Sequence, residues 1–140
     1  MTRAELQLLA SDRLADAQAL ILAQRWSGAY YLAGYAVECG LKSCVLAHVV
    51  AHAEVIFQQR RFSEKCWTHN VVELASLADL DTVLKNDCAV NPLLEQNWNI
   101  VKDWREDSRY QQLTQVLAQE LVDAVADNVN GVLQWIRNHW

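Results

Sequence analysis

The sequence predicts an all-α fold, an antiparallel bundle of four to five helices in a single domain spanning residues 1–140. Three observations carry this. One proline and four glycines in 140 residues are too few for a many-turned β fold. Apolar residues recur at helical spacing in several separate stretches. The most apolar stretch, Ser27–His52, holds one acid, Glu38, and one lysine, Lys42, and a helix apolar nearly all round is one enclosed by other helices.

The first helix is expected over Thr2–Arg25. Thr2 followed by Glu5 is a capping-box pattern. Leu6, Ala10, Leu14, Ala17 and Ile21 then give one apolar face, widened by Leu9 and Leu20. Trp26-Ser27-Gly28 is a short break, with Ser27 as the expected cap of the second helix. So brief a connection makes the two helices antiparallel neighbours.

The second helix carries its polar groups on one face. Tyr31, Tyr35, Glu38 and Lys42 are spaced 4, 3 and 4, and Glu38 precedes Lys42 in the order that favours a helical ion pair. Gly28, Gly34 and Gly40 leave room for close neighbours.

Beyond Ala53 the pattern weakens, and Glu54–Lys65 reads as a frayed helix end and loop. Thr68 is the expected cap of a short helix to about Leu80. Asp81–Val90 reads as irregular. Asn91-Pro92 is a strong helix start, since Asn caps and Pro fits the first turn; that helix is expected to reach about Trp104. Arg105–Tyr110 is a dense polar connector. Gln111–Trp140 is expected as one long helix, with Leu113, Leu117, Leu121, Ala124, Asn128, Val132 and Trp135 along its face and Gly131 as a soft spot.

Charge and composition exclude some function classes. A formal net charge of −5 argues against a broad nucleic-acid-binding surface but leaves room for a small local site. The four cysteines, Cys39, Cys44, Cys66 and Cys88, lack CxxC or zinc-finger spacing. They are expected to be reduced, which with the charged N-terminal segment MTRAELQLLASDR points to the cytoplasm. A charged pair in the middle of the apolar helix is costly in a bilayer, so no membrane association is expected. No glycine-rich phosphate loop and no GxSxG is present, and no cofactor or metal is implied. His48 and His52 have a metal-compatible i,i+4 spacing without an HExxH glutamate or an evident third ligand.

Two segments outside the apolar helix are candidates for chemistry. WREDSRY, Trp104–Tyr110, gathers Arg105, Arg109, Glu106, Asp107 and Tyr110. Arginine offers a planar fork for phosphate, and tyrosine a hydroxyl or a stacking ring. The same residues also suit a self-paired polar turn. CWTH, Cys66–His69, places His69 where the short helix begins, suited to proton transfer or to holding the connector.

Taken together, GAYYLAGYAVECGLKS (Gly28–Ser43), WTHNVVEL (Trp67–Leu74) and WREDSRY, closed by a helix ending in WIRNHW, resemble the HEPN superfamily of small all-α prokaryotic domains. The resemblance spans nearly the whole chain and is most telling in its first segment. It implies a homodimer associated with RNA or nucleotides, often in toxin–antitoxin or phage-defence systems. It also implies a nucleotidyltransferase-type partner protein encoded alongside. Active members of the family share an Arg-x4-6-His motif that makes them metal-independent ribonucleases. Here Arg105 matches the arginine, but Tyr110 stands after four intervening residues and no histidine follows any arginine at that spacing. A phenol keeps its proton well above pH 7, so tyrosine is a poor general base.

The leading expectation is a binding or regulatory module that uses Arg105, Arg109, Asp107 and Tyr110, with Glu38, Lys42 and His69 nearby. One alternative is a divergent ribonuclease in which Arg105 stabilises the phosphorane and Tyr110 or His69 moves a proton. The other is a purely structural dimerisation module whose interface uses the six tryptophans and the last helix.

Overall fold

The computed structural model describes all residues, Met1–Trp140, and every regular element is helical. The all-α expectation is met, but with nine α-helical segments rather than four or five. They are α1 (Arg3–Leu22), α2 (Trp26–Ala51), α3 (Val55–Gln58), α4 (Phe62–Lys65), α5 (Val71–Leu77), α6 (Asp81–Val90), α7 (Pro92–Val101), α8 (Gln115–Ala126) and α9 (Val132–Arg137). A 3-10 turn, Glu106–Tyr110, lies between α7 and α8. No helix is long and apolar enough to cross a membrane.

α1 starts on the expected capping box. Thr2 Oγ1 accepts from the Glu5 N–H at 3.2 Å, and Glu5 Oε2 accepts from the Thr2 N–H at 2.7 Å. Leu6, Ala10, Leu14 and Ala17 are buried, as their spacing predicts. The helix ends in a paired turn: Arg25 N–H donates to Leu20 C=O at 2.8 Å and Gln24 N–H to Ile21 C=O at 3.0 Å. That geometry puts Gln24 at φ 58°, a left-handed position usually taken by glycine.

α2 is the centre of the bundle. α1, α5, α8, α9 and the 3-10 turn all pack on it. At 26 residues it is about 39 Å long. The turn into it is tight, and the end of α1 meets the start of α2: a Cβ at Gly28 would lie 3.2 Å from Leu20 Cδ1. Gly40 makes the same kind of room for α9, with Ile136 Cγ2 3.0 Å from where a Cβ would stand. Ser27 does not cap α2, which begins one residue earlier with Arg25 at the cap position. The Ser27 hydroxyl instead accepts from the Leu113 N–H at 2.9 Å, tying the segment before α8 to α2.

Three further expectations are corrected. The short helix is capped by Asn70, whose Oδ1 accepts from Val72 and Glu73 N–H, and not by Thr68. Thr68 Oγ1 accepts from the Asn70 N–H at 3.1 Å and its hydroxyl bonds Glu73. The helix then stops at Leu77. Asp81–Val90 is regular helix rather than irregular chain. It shows no apolar stripe because only Leu84 is buried. α6 is fixed instead by polar contacts: Asp81 accepts from the Ser76 hydroxyl and Asp87 from Trp135 Nε1–H at 2.8 Å.

The last long helix is broken. Asp127 Oδ1 accepts from the Val129 and Asn130 N–H groups at 2.9 and 2.6 Å, a side-chain turn that competes with helix continuation. Asn128 therefore lies in an exposed turn and not on the buried face. Gly131 follows at close quarters, where a Cβ would sit 2.3 Å from Asp127 O. The turn is pinned to α7 by Asn91 Nδ2 on Asn130 Oδ1 and Asn97 Nδ2 on Asn130 O, both 2.9 Å. Asn91 caps α7 with Pro92 in its first turn, as expected, although α7 ends at Val101 and not at Trp104.

Candidate functional site

The polar stripe of α2 exists as its spacing predicts. Tyr31 and Tyr35 stack with ring centroids 6.1 Å apart and planes 3° from parallel. One turn on, Glu38 is 1% exposed, and its Oε1 accepts from Lys42 Nζ at 2.8 Å. The same oxygen lies 2.9 Å from His69 Nδ1. Glu38 thus joins α2 to the entrance of α5. His69 is one residue before the Asn70 cap rather than within the helix, and it is exposed. The other carboxylate oxygen, Glu38 Oε2, is buried with no hydrogen-bond partner. Burial, then Cys39 and Glu38, push the Tyr35 phenol up to about 12, so it stays protonated.

The stripe connects two places. Glu38 and Tyr31 are separated by two turns, about 10 Å along the helix. At the Tyr31 end stands the Arg105–Tyr110 corner. Trp104 anchors it: the ring is fully buried and lies so close over Gly34 that a Cβ there would be 2.2 Å from its Cε2 and Nε1. Trp104 also packs on Tyr31, centroid to centroid 6.1 Å. Only a residue without a side chain lets an indole approach a helix backbone this closely. Ser108 is buried as well, and the corner is held on α2 from beneath.

Its polar residues face outward. Arg105 is exposed, and its Nη1 donates to the carbonyls of Lys102 and Trp104 at 3.2 and 3.0 Å. Arg109 pairs with Glu106 and lies 4.8 Å from the centre of the Tyr110 ring. Desolvation is the largest single influence on Arg109 and lowers it, but Tyr110, Glu106 and Tyr31 together outweigh it and hold the guanidinium above the usual range. Tyr110 is 77% exposed. Asp107 is exposed and joins no ion pair. The structure therefore brings Arg105, Arg109 and Tyr110 onto one corner, and Glu38, Lys42 and His69 onto another site further along α2.

At the Glu38 end lies a cleft of about 510 Å³ between the start of α1, the second half of α2, and α3–α4. Leu6, Val45, Leu46, Phe62 and Leu74 line it, Glu38 and Lys42 are among its few polar groups, and Ile56 and Trp67 stand at its rim. Sequence reasoning missed this cleft. Its one outward signal is the pair of large apolar residues, Ile56 and Trp67, in a polar stretch without periodicity; they are 56% and 81% exposed.

The thiols divide by depth. Burial pushes Cys44 up to about 12 and, with Glu38 adding to it, Cys39 up to about 11. His48 and His52 have ring centroids 5.1 Å apart, and His52 Nδ1 is 3.5 Å from Glu54. No group of three or more His, Cys, Asp or Glu side chains converges on a metal-sized site. Comparison of the chain with protein-family models, with curated proteins and with solved structures finds no match.

Proposed function

We propose that this chain is a HEPN-like binding module of the cytoplasm, acting as a homodimer, that holds a nucleotide or a single-stranded RNA at the Arg105–Tyr110 corner. The observation that carries this reading is the exposed Tyr110 ring with the Arg109 guanidinium over it and Arg105 on the same turn. An exposed ring stacks on a base without regard to sequence. The two arginines supply forks for phosphate, and Arg109 exchanges Glu106 for the ligand. The net charge of −5 limits the contact to a few nucleotides. The resemblance of Gly28–Ser43, Trp67–Leu74 and Trp104–Tyr110 to the HEPN superfamily supports the same reading. By that resemblance the module works within a toxin–antitoxin or defence system, beside a nucleotidyltransferase-type partner.

The test is binding of a fluorescently labelled single-stranded RNA across a salt series. Two phosphate contacts give a slope of log K on log salt of about −1.4, and Arg109→Ala reduces its magnitude by about 0.7. Tyr110→Ala weakens binding by about 1–3 kcal/mol without changing the slope. Binding that is indifferent to all of Arg105→Ala, Arg109→Ala and Tyr110→Ala removes the site. The same RNA incubated in EDTA and examined for 2′,3′-cyclic phosphate ends separates a binding module from a ribonuclease. Such ends, lost in Arg105→Ala, would make the corner catalytic.

A further inference from the structure

We infer that the end of α2 binds one divalent transition-metal ion of the kind imidazole prefers, clamped between His48 and His52 with Glu54 behind His52. The site shares no residue with the Arg105–Tyr110 corner, and its failure leaves that reading untouched.

The two rings are already spaced for a shared ion. His48 lies in the last turn of α2 and His52 is the residue that caps it, so the i,i+4 spacing puts both on one side of the helix. The backbone between them is fixed, with the His52 N–H donating to the His48 carbonyl at 2.8 Å. The ring centres stand 5.1 Å apart. Two imidazoles bound to one zinc at about 2.0–2.1 Å, with a tetrahedral angle between them, have their centres about 5 Å apart. His48 is half-buried and His52 is exposed, so an ion reaches them from solvent.

Glu54 supplies what the spacing alone lacks. Its Oε1 lies 3.5 Å from His52 Nδ1. A metal-bound imidazole usually gives its other ring N–H to a carboxylate or carbonyl, which fixes the tautomer and makes the metal-facing nitrogen more basic. With Nδ1 turned to Glu54, His52 offers Nε2 to the ion. Glu54 is thus a supporting carboxylate and not a third ligand, in keeping with the lack of any converging group of three. The protein gives two nitrogens, and water completes the coordination. The C-terminal end of a helix carries a partial negative charge, which favours a cation here. The donor type decides which cation: imidazole suits zinc, copper and nickel, whereas magnesium and calcium prefer oxygen. Through Glu54 the bound ion ties the last turn of α2 to the turn that leads into α3.

The test is proton NMR of the histidine rings of the whole chain during titration with NiCl2. The chain has four histidines, so His69 and His139 are internal controls. Paramagnetic nickel is expected to broaden the His48 and His52 signals together, saturating at one ion per chain, while the controls stay sharp. Added ZnCl2 is expected to sharpen the pair again, and excess MgCl2 to leave it broad. In calorimetric titration with ZnCl2, His48→Ala and His52→Ala are each expected to weaken binding by at least about tenfold, because a chelate is lost with either arm. Glu54→Gln keeps both ligands and is expected to cost about tenfold. All three positions are at the surface, and circular dichroism without metal checks that the variants fold. Broadening of His69 or His139 before the pair, broadening of one member of the pair alone, or reversal by MgCl2 overturns the proposal. Zinc affinity that survives either histidine substitution overturns it too, and unchanged affinity in Glu54→Gln overturns the role given to that carboxylate.

Discussion

Replacing Gly34 with alanine tests how the Arg105–Tyr110 corner is held. A Cβ at this position would lie 2.2 Å from two atoms of the Trp104 indole. Neither side yields cheaply: one is the backbone of the central helix, and the other is a rigid ring that is fully buried. Forcing a ring aside in a packed core costs about 3 kcal/mol. Alanine returns about 1 kcal/mol over glycine within a helix. The expected net loss is about 2 kcal/mol, or about a 1 M fall in the urea midpoint at an m-value of about 2 kcal/mol/M. The sign should reverse once the ring is gone. In a Trp104→Leu background, Gly34→Ala is expected to stabilise by about 1 kcal/mol. Urea denaturation of the four proteins of this cycle gives the coupling directly. If Gly34→Ala is neutral in the wild type, or equally harmful in both backgrounds, the indole does not need the notch and the account of the corner is wrong.

The other predictions are local. Gln24 sits at φ 58° in the turn that ends α1, so Gln24→Gly is expected to stabilise by up to about 1 kcal/mol; a loss in thermal denaturation would contradict this. At pH 8, Ellman's reagent is expected to label Cys66 and Cys88 and to spare Cys39 and Cys44, the two buried thiols. All four should react in urea, and rapid native labelling of Cys44 would contradict the burial that holds it at about 12. Hydrogen bonds from the Asn130 and Val129 N–H groups hold the Asp127 carboxyl below its ordinary value. Its folded pKa is depressed, so its contribution to stability is complete above the unfolded value of about 3.9 and is lost as pH falls through the lower folded value. An NMR titration of the Asp127 carboxyl with a midpoint at or above that of a free aspartate would refute the turn.

Much of the helical order was legible because its signals are local. The Thr2–Glu5 box, the Asn91-Pro92 start and the Tyr31–Lys42 stripe each lie within a few turns of chain, where spacing alone decides which side chains meet. Two of the failures depend on distant partners. Ser27 reads as a cap until its hydroxyl is seen to take the N–H of Leu113, 86 residues away. α6 carries too few inward residues to show a period, and Trp135 on a much later helix helps fix it. The break at Asp127 was hidden because a heptad-like spacing continues through it, and local side-chain bonds override that pattern. Of the candidate site, the residues of the Arg105–Tyr110 corner were visible as a cluster, but the anchoring of Trp104 over Gly34 was not. The cleft was invisible for the same reason as α6, since its walls come from Leu6, Val45 and Phe62, far apart in the chain.

The central position of α2 also bears on how the chain is made. Its partner α1 is already present when α2 is synthesised, but α8 and α9 are not. Cys44 Sγ is within 3.8 Å of the carbonyl of Ile136, 92 residues later. At about 5–20 residues per second, the most apolar helix of the protein waits for about 4–20 s before its last neighbours have been synthesised. During that interval the α1–α2 hairpin presents an uncovered apolar flank, the kind of surface that holdase chaperones bind. The nascent chain is therefore most exposed to aggregation in the period between completion of α2 and arrival of α9. A truncation ending before Gln115 should reproduce that state permanently.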